Sequence, residues 1–203
     1  MKKFLSEDPI VYIIDDFISD EECDHMIEIS KNKLQQAMVA GDGKGYFSKG
    51  RTGQNCWVSH NTDDITLRIA EKICKLVEYP IENAESFQVI YYDKTQEYRN
   101  HYDAWKFDGS DKSRRCLLRG GQRMVTALVY LNDVEKGGAT KFTKLDIAVE
   151  AKKGRILVFR NHENNTNTVH PLSEHAGTPV IEGEKYAFNL WFRQQDRKKD
   201  YIV

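Results

Sequence analysis

The run Met124-Val-Thr-Ala-Leu-Val-Tyr-Leu131 is nearly all apolar and rich in β-branched and aromatic residues, as a strand buried on both faces should be. Shorter strands follow it near 139–142, 146–150 and 155–159. The chain closes its ordered pattern with Lys185-Tyr-Ala-Phe-Asn-Leu-Trp-Phe-Arg193. Strand side chains alternate, so Tyr186, Phe188, Leu190 and Phe192 share one face. Lys185, Ala187, Asn189 and Trp191 share the other. Upstream, Glu85-Ser-Phe-Gln-Val-Ile-Tyr-Tyr92 alternates in the same way, with Phe87, Val89 and Tyr91 opposed to Gln88, Ile90 and Tyr92.

Before residue 80 the pattern is mixed. Ile10-Val-Tyr-Ile-Ile14 reads as a short strand. Ser19-Asp-Glu-Glu22 fits a capping box, and Cys23, Met26, Ile27 and Leu34 follow at helical spacing, which predicts a helix over about 20–36. Asp63 or Asp64 caps a second helix, carried by Ile65, Ile69, Ile73 and Leu76 or Val77 and stopped by Pro80. Between them, residues 41–56 hold five glycines and predict a mobile, lid-like loop. Two helices followed by many short strands with glycine turns predict a β-sandwich or barrel braced by helices.

The chain has 203 residues, 40% of them hydrophobic and 11% aromatic, enough for one well-cored domain. A formal charge of -1 gives no sign of a nucleic-acid partner or a membrane-binding basic tail. Met1-Lys-Lys-Phe-Leu-Ser-Glu-Asp-Pro9 lacks the apolar core of a secretory signal, and no stretch is apolar enough to span a bilayer. Asp200-Tyr-Ile-Val203 is not an ER-retention signal. The expected location is cytoplasmic or otherwise soluble and unexported. Cys23, Cys56, Cys74 and Cys116 lack metal spacing and are expected as reduced thiols, with Cys23 and Cys74 as core filler. Asn164-Asn-Thr166 fits the glycosylation pattern but carries no meaning without export.

One segment carries chemistry. In Tyr98-Arg-Asn-His-Tyr-Asp-Ala-Trp105, His101 and Asp103 lie two apart. On a strand both point the same way, while Tyr102 faces away. Two imidazoles and one carboxylate can hold one face of an octahedral metal and leave the other open, the ligand set of oxygen-activating Fe(II) enzymes. The third ligand would come from another strand, and both His170 and His175 are candidates. His25, His60 and His162 are expected at the surface or in caps.

Six ordered pieces resemble the catalytic domain of the prolyl 4-hydroxylases within the Fe(II)/2-oxoglutarate-dependent dioxygenases: Ser48-Lys-Gly-Arg-Thr52, the Glu85–Asp103 segment, Arg123–Asp133, Glu135-Lys-Gly-Gly-Ala-Thr-Lys-Phe142, Lys152-Lys-Gly-Arg-Ile-Leu-Val-Phe159 and His175-Ala-Gly-Thr-Pro-Val-Ile-Glu-Gly-Glu-Lys185. The resemblance implies a double-stranded β-helix, or jelly roll, spanning 1–203 as a single domain. Residues 1–80 would be mostly helical support and lid loop, and 81–203 the jelly-roll core. It selects His175 as third metal ligand, because Lys185 follows ten residues later and would grip the far carboxylate of 2-oxoglutarate. Tyr92 and Tyr130 match tyrosines that line the cosubstrate pocket, and Thr126, on the same strand face as Tyr130, is a further cosubstrate-side candidate. Arg51, Arg123 and Trp191 are the substrate-side candidates.

The implied cofactors are Fe(II), 2-oxoglutarate and O2, with ascorbate as reductant. The implied activity is hydroxylation of a prolyl residue in a peptide or protein, with succinate and CO2 released. A free amino acid or other small-molecule substrate, or a non-catalytic jelly-roll binding module, is the alternative. Departures from the family pattern include Asn100 where a proline is usual, and a basic 104–122 segment in which Lys106, Lys112, Arg114, Arg115 and Arg119 outnumber Asp108 and Asp111. No partner nucleic acid or membrane is expected, and no oligomeric state is implied.

Overall fold

The structure is a computed structural model that describes residues 1–41, 45–164 and 166–199. Residues 42–44 of the glycine-rich stretch, Asn165 of the glycosylation triplet and the terminal 200–203 lie outside the described residues. In chain order the strands are β1 (Lys3–Glu7), β2 (Ile10–Ile14), β3 (Gln35–Gln36), β4 (Met38–Val39), β5 (Tyr46–Phe47), β6 (Gln54–Val58), β7 (Phe87–Tyr92), β8 (Tyr98–His101), β9 (Arg123–Tyr130), β10 (Lys136–Gly137), β11 (Thr140–Phe142), β12 (Ile147–Val149), β13 (Ile156–Arg160), β14 (His175–Gly177), β15 (Val180–Glu182) and β16 (Lys185–Arg193). The helices are α1 (Asp20–Lys31), α2 (Asp64–Val77) and α3 (Asp111–Leu117).

The apolar run becomes β9, an interior strand between β13 and β16 in an eight-stranded sheet ordered β1-β2-β13-β9-β16-β7-β6-β3. A four-stranded sheet, β12-β11-β14-β8, covers one face of it. Named strand pairings are antiparallel throughout the described residues. This is the jelly roll.

Each face of the large sheet has its own core, which is why β9 could afford no polar side. On the helical face Phe87, Val89, Ala127, Val129, Phe188, Leu190 and Phe192 pack with Ile69 and Ile73 of α2 and with Met26 of α1. The rings of Phe87 and Phe188 meet edge-on at 4.8 Å. On the other face Ile90, Tyr92, Leu128, Tyr130 and Ala187 pack with Phe142, Val149 and Val180. The expected faces of β7 and β16 are the observed ones. Fully burying one such aliphatic or aromatic side chain contributes about 1.5–3 kcal/mol.

The helix caps also tie the helices together. Ser19 and Glu22 form the capping box of α1, and Glu22 additionally accepts from Arg68 Nε at 3.0 Å. Asp63 caps α2 through Thr66, and its second oxygen meets His25 Nε2 at 2.8 Å.

Several expectations need correction. Helix α1 stops at Lys31, because Gln35 and Gln36 pair with Asn55 and Gln54 as an edge strand and Leu34 packs on the core from outside the helix. The 41–56 segment is not one loop. Tyr46–Phe47 pairs with Met38–Val39 as a small hairpin, and Gln54–Val58 pairs with β7 in the main sheet. Residues 1–80 are therefore support by strand as well as by helix. The basic 104–122 segment contains α3, capped by Ser110 through Ser113 N. His162 is buried, with no hydrogen-bond partner for either ring nitrogen among the described residues, and burial holds its imidazole down at about 4. All four cysteines are free, and Cys23 is fully buried. No helix among the described residues is long and apolar enough to cross a membrane.

Candidate active site

His101 ends β8 and His175 begins β14, and the two residues are direct cross-strand partners. Asp103 lies two residues beyond His101, past the end of the strand. The expectation of a continuous strand through Asp103 is thus corrected, because the chain bends after His101. The convergence survives the bend. Asp103 Oδ1 is 3.7 Å from His101 Nε2, and its Oδ2 is 3.8 Å from His175 Nε2. These three groups can each offer a ligand atom within 4.8 Å of the others. Tyr102 directs its hydroxyl to the Pro171 carbonyl at 3.2 Å, though it also lines the cavity.

The tautomers follow from the backbone. His101 Nδ1 is 2.9 Å from the Arg99 carbonyl, and His175 Nδ1 is 3.0 Å from the Ser173 carbonyl. A carbonyl can only accept, so both Nδ1 atoms carry the proton and both Nε2 lone pairs face Asp103. Burial holds His101 neutral, well below the ordinary imidazole range, and the neighbouring His175 adds to this. Burial opposes the charge on Asp103, but the Arg123 guanidinium and a hydrogen bond from the Trp191 indole hold it ionised. Two lone pairs and a carboxylate converging without a shared proton repel one another unless a cation sits between them. This donor set fits Fe(II).

Thr126, expected at the cosubstrate, instead donates its hydroxyl to Asp103 Oδ2 at 2.7 Å and accepts from Asn161 Nδ2 at 3.0 Å. It does not line the cavity; it fixes the carboxylate. His170 is turned to other work. Its Nδ1 accepts from Leu172 N at 3.1 Å, capping the short helix 171–173, and its Nε2 is 3.3 Å from Asp8.

Beside the triad lies a cavity of about 240 Å³. Its buried lining includes Lys185, Tyr92, Leu128 and Thr140. Lys185 is 2% exposed, and its amine donates to the Gly138 carbonyl at 2.6 Å. Burial brings its pKa down to about 7. Tyr130 lies behind this wall, its ring centroid 5.2 Å from the Lys185 amine, with its hydroxyl donating to Thr140 Oγ1 at 2.8 Å. Thr140 and Leu128 were not singled out from sequence, since a threonine and a leucine in strands carry no motif. Gly53 explains its own identity: a Cβ there would lie 2.5 Å from the Tyr92 ring.

Arg51 is buried and its guanidinium is committed, donating to the Met38 carbonyl at 3.0 Å and to Gln88 Oε1 at 2.9 Å. It also lies over the Tyr98 ring at 4.7 Å, and Tyr98 stacks on His101 at 3.6 Å between ring centroids. Arg51 therefore buttresses the metal-side imidazole while lining the cavity. Arg123 sits over the Trp191 ring at 3.5 Å and donates two hydrogen bonds to Glu85, at 2.7 and 2.9 Å. Trp191 lines the cavity from β16, and its indole is among the groups that favour the ionised Asp103.

Comparison with known proteins agrees with this geometry. The family model described as the 2OG-Fe(II) oxygenase superfamily matches residues 87–193. A probable prolyl 4-hydroxylase 7 of Arabidopsis thaliana is 36% identical over 92% of this chain, which spans 63% of that relative's length. A putative prolyl 4-hydroxylase of Acanthamoeba polyphaga mimivirus is 36% identical over 91% of this chain and 74% of its own. The solved 2OG complex of a viral collagen prolyl hydroxylase from Paramecium bursaria Chlorella virus-1 superposes with a TM-score of 0.72, at 28% identity, over 90% of this chain and 95% of that one. The chain belongs to the 2OG-Fe(II) oxygenase superfamily, and within it to the prolyl 4-hydroxylases.

Proposed function

We infer that this chain is an Fe(II)- and 2-oxoglutarate-dependent dioxygenase that hydroxylates prolyl residues in a peptide or protein. The observation that carries this reading is that a two-histidine, one-carboxylate cluster and a buried lysine amine line one cavity. His101, Asp103 and His175 would hold Fe(II), and Lys185 would hold the distal carboxylate of 2-oxoglutarate.

When bound, iron and 2-oxoglutarate supply the oxygen activation and oxidising power for C–H hydroxylation, with release of succinate and CO2. The chain's own residues set the conditions. The backbone carbonyls of Arg99 and Ser173 keep both imidazoles in the ligating tautomer. Thr126 orients Asp103. Gly138 aims the Lys185 amine into the cavity, where a carboxylate partner is strengthened by the absence of water. Tyr92, Leu128 and Thr140 exclude water around it. At the other end Tyr98, Trp105 and Trp191 line the cavity, an aromatic wall suited to a pyrrolidine ring. Ascorbate is the reductant that family membership implies.

The deciding experiment measures succinate release and hydroxyproline formation with iron-loaded protein. Proline-rich peptides, free proline and no substrate are compared. Peptide-dependent hydroxyproline is expected; stimulation by free proline alone would move the substrate to a small molecule.

A further inference from the structure

A second groove opens beside the mouth of the cavity, and the two share Trp57, Trp105 and Arg123 in their walls. It is a basic groove. Arg119, Arg123, Arg193 and Arg197 line it, and Glu85 is the sole carboxylate among its described lining residues. Glu85 is already committed. Oε1 accepts from both Arg123 Nε and Arg193 Nε at 2.7 Å, and Oε2 accepts from Arg123 Nη2 at 2.9 Å. One negative charge bound by two arginines leaves the floor positive before Arg119 and Arg197 are counted. Among the described residues the Arg197 side chain donates a long bond of 3.4 Å to the Ala84 carbonyl, and its Nε is buried without a hydrogen-bond partner.

The groove is held in shape. Trp105 lies 4.6 Å from both the Arg123 and the Arg193 guanidinium carbons. Its backbone is clamped by Gln122, which accepts from Trp105 N at 3.1 Å and donates to its carbonyl. Arg193 also donates to the Cys116 carbonyl at 2.9 Å and to that of Gly121. Fixed guanidinium groups beside indole faces suit a carboxylate with some apolar stem.

We propose that this groove binds an acidic side chain flanking the target proline, so that the enzyme prefers proline in an acidic peptide context. This rests on the prolyl hydroxylase reading. A segment of one chain can occupy both grooves because their walls are shared. That continuity favours the substrate peptide over a separate anionic polymer, as does a chain whose formal net charge is -1.

The test uses the full chain and three proline-rich peptides of equal length whose flanking residues are acidic, neutral or basic. Affinity is read without turnover from tryptophan fluorescence, since Trp57 and Trp105 line the groove, and kcat/KM is read from hydroxyproline formation. The acidic peptide is expected to bind about tenfold more tightly than the neutral one, as one or two charge-assisted hydrogen bonds would give. Raised salt should erode this advantage. In Arg119→Glu and Arg197→Glu the acidic-to-neutral ratio should fall towards one. Equal affinity for all three peptides with hydroxylation intact overturns the groove and leaves the function standing. Acidic preference in binding with no hydroxyproline formed on any peptide overturns the function instead. Displacement of the acidic peptide by free succinate or by a single-stranded oligonucleotide at lower concentration than by unlabelled acidic peptide would also overturn the proposal.

Discussion

His101 and His175 stand directly opposite each other across β8 and β14, and each gives its Nδ1 proton to a carbonyl two residues earlier in the chain, that of Arg99 within β8 and that of Ser173 at the end of the short helix 171–173. The same local device is used twice, and it leaves two Nε2 atoms aimed at one carboxylate. His170 lies only five residues before His175, yet it caps the 171–173 turn.

His175→Ala and His170→Ala should therefore separate cleanly. The first should lose Fe(II) or Co(II) binding, read by the metal's absorption spectrum, with the fold retained. The second should keep the metal and lose about 1 kcal/mol of stability, as removal of a helix cap does. Metal binding that survives His175→Ala would refute the ligand set.

Thr126→Val keeps the shape of the side chain and removes the 2.7 Å bond to Asp103. Metal affinity should fall by about tenfold, the lower end of the effect of losing a residue that orients a ligand. Competition with a chelator measures it. An unchanged dissociation constant would mean that the surrounding strands alone hold the carboxylate.

Gly53→Ala places a Cβ 2.5 Å from the Tyr92 ring and 2.6 Å from the Tyr91 carbonyl. Overpacking of this kind costs about 1–3 kcal/mol, and here it pushes on the wall beside Lys185. The KM for 2-oxoglutarate should rise while metal affinity holds. Gly50→Ala is the control, since its nearest neighbour would lie 3.4 Å away.

Lys185 titrates near neutrality because burial penalises its charge, and a carboxylate partner reverses that penalty. Below about pH 7 the amine is already charged, and binding takes up no proton. Above it each binding event must, so 2-oxoglutarate affinity should fall by roughly tenfold per pH unit. Calorimetry in buffers of different ionisation heat would register the proton uptake; a flat affinity between pH 7 and 9 would contradict the buried amine's role.

Glu85 is buried between Arg123 and Arg193. Burial opposes its charge, but Arg123 and then Arg193 outweigh burial and hold its pKa below the usual carboxylate range. A depressed folded pKa means that stability is present above the ordinary glutamate range and lost as pH falls below it. Glu85→Gln should destabilise by about 3–5 kcal/mol, the cost of leaving buried cations unpaired. It should also shrink the acid-induced loss that denaturant titrations at falling pH would show in the wild type.

Much of this was legible in the residues themselves. Strand alternation put Phe188 and Leu190 on one face of β16 and Lys185 and Trp191 on the other, because the period of a strand is local geometry. The capping box at Ser19 was equally local, whereas the choice of Asp63 over Asp64 as the cap of α2 came from the structure. Family resemblance, carried by six ordered motifs, chose His175 over His170. Sequence could not show what depends on neighbours distant in the chain. Thr126 donates to Asp103, Arg51 braces His101 through Tyr98, and His162 is buried. The groove of Arg119, Arg123, Arg193 and Arg197 gathers residues from the α3 end, β9, β16 and beyond. Propensity and pattern act over a few residues, so they determined the strands and their faces. Charge and hydrogen bonding act across space, so only the packing of one sheet on another decided which side chains became ligands, braces or a second binding surface.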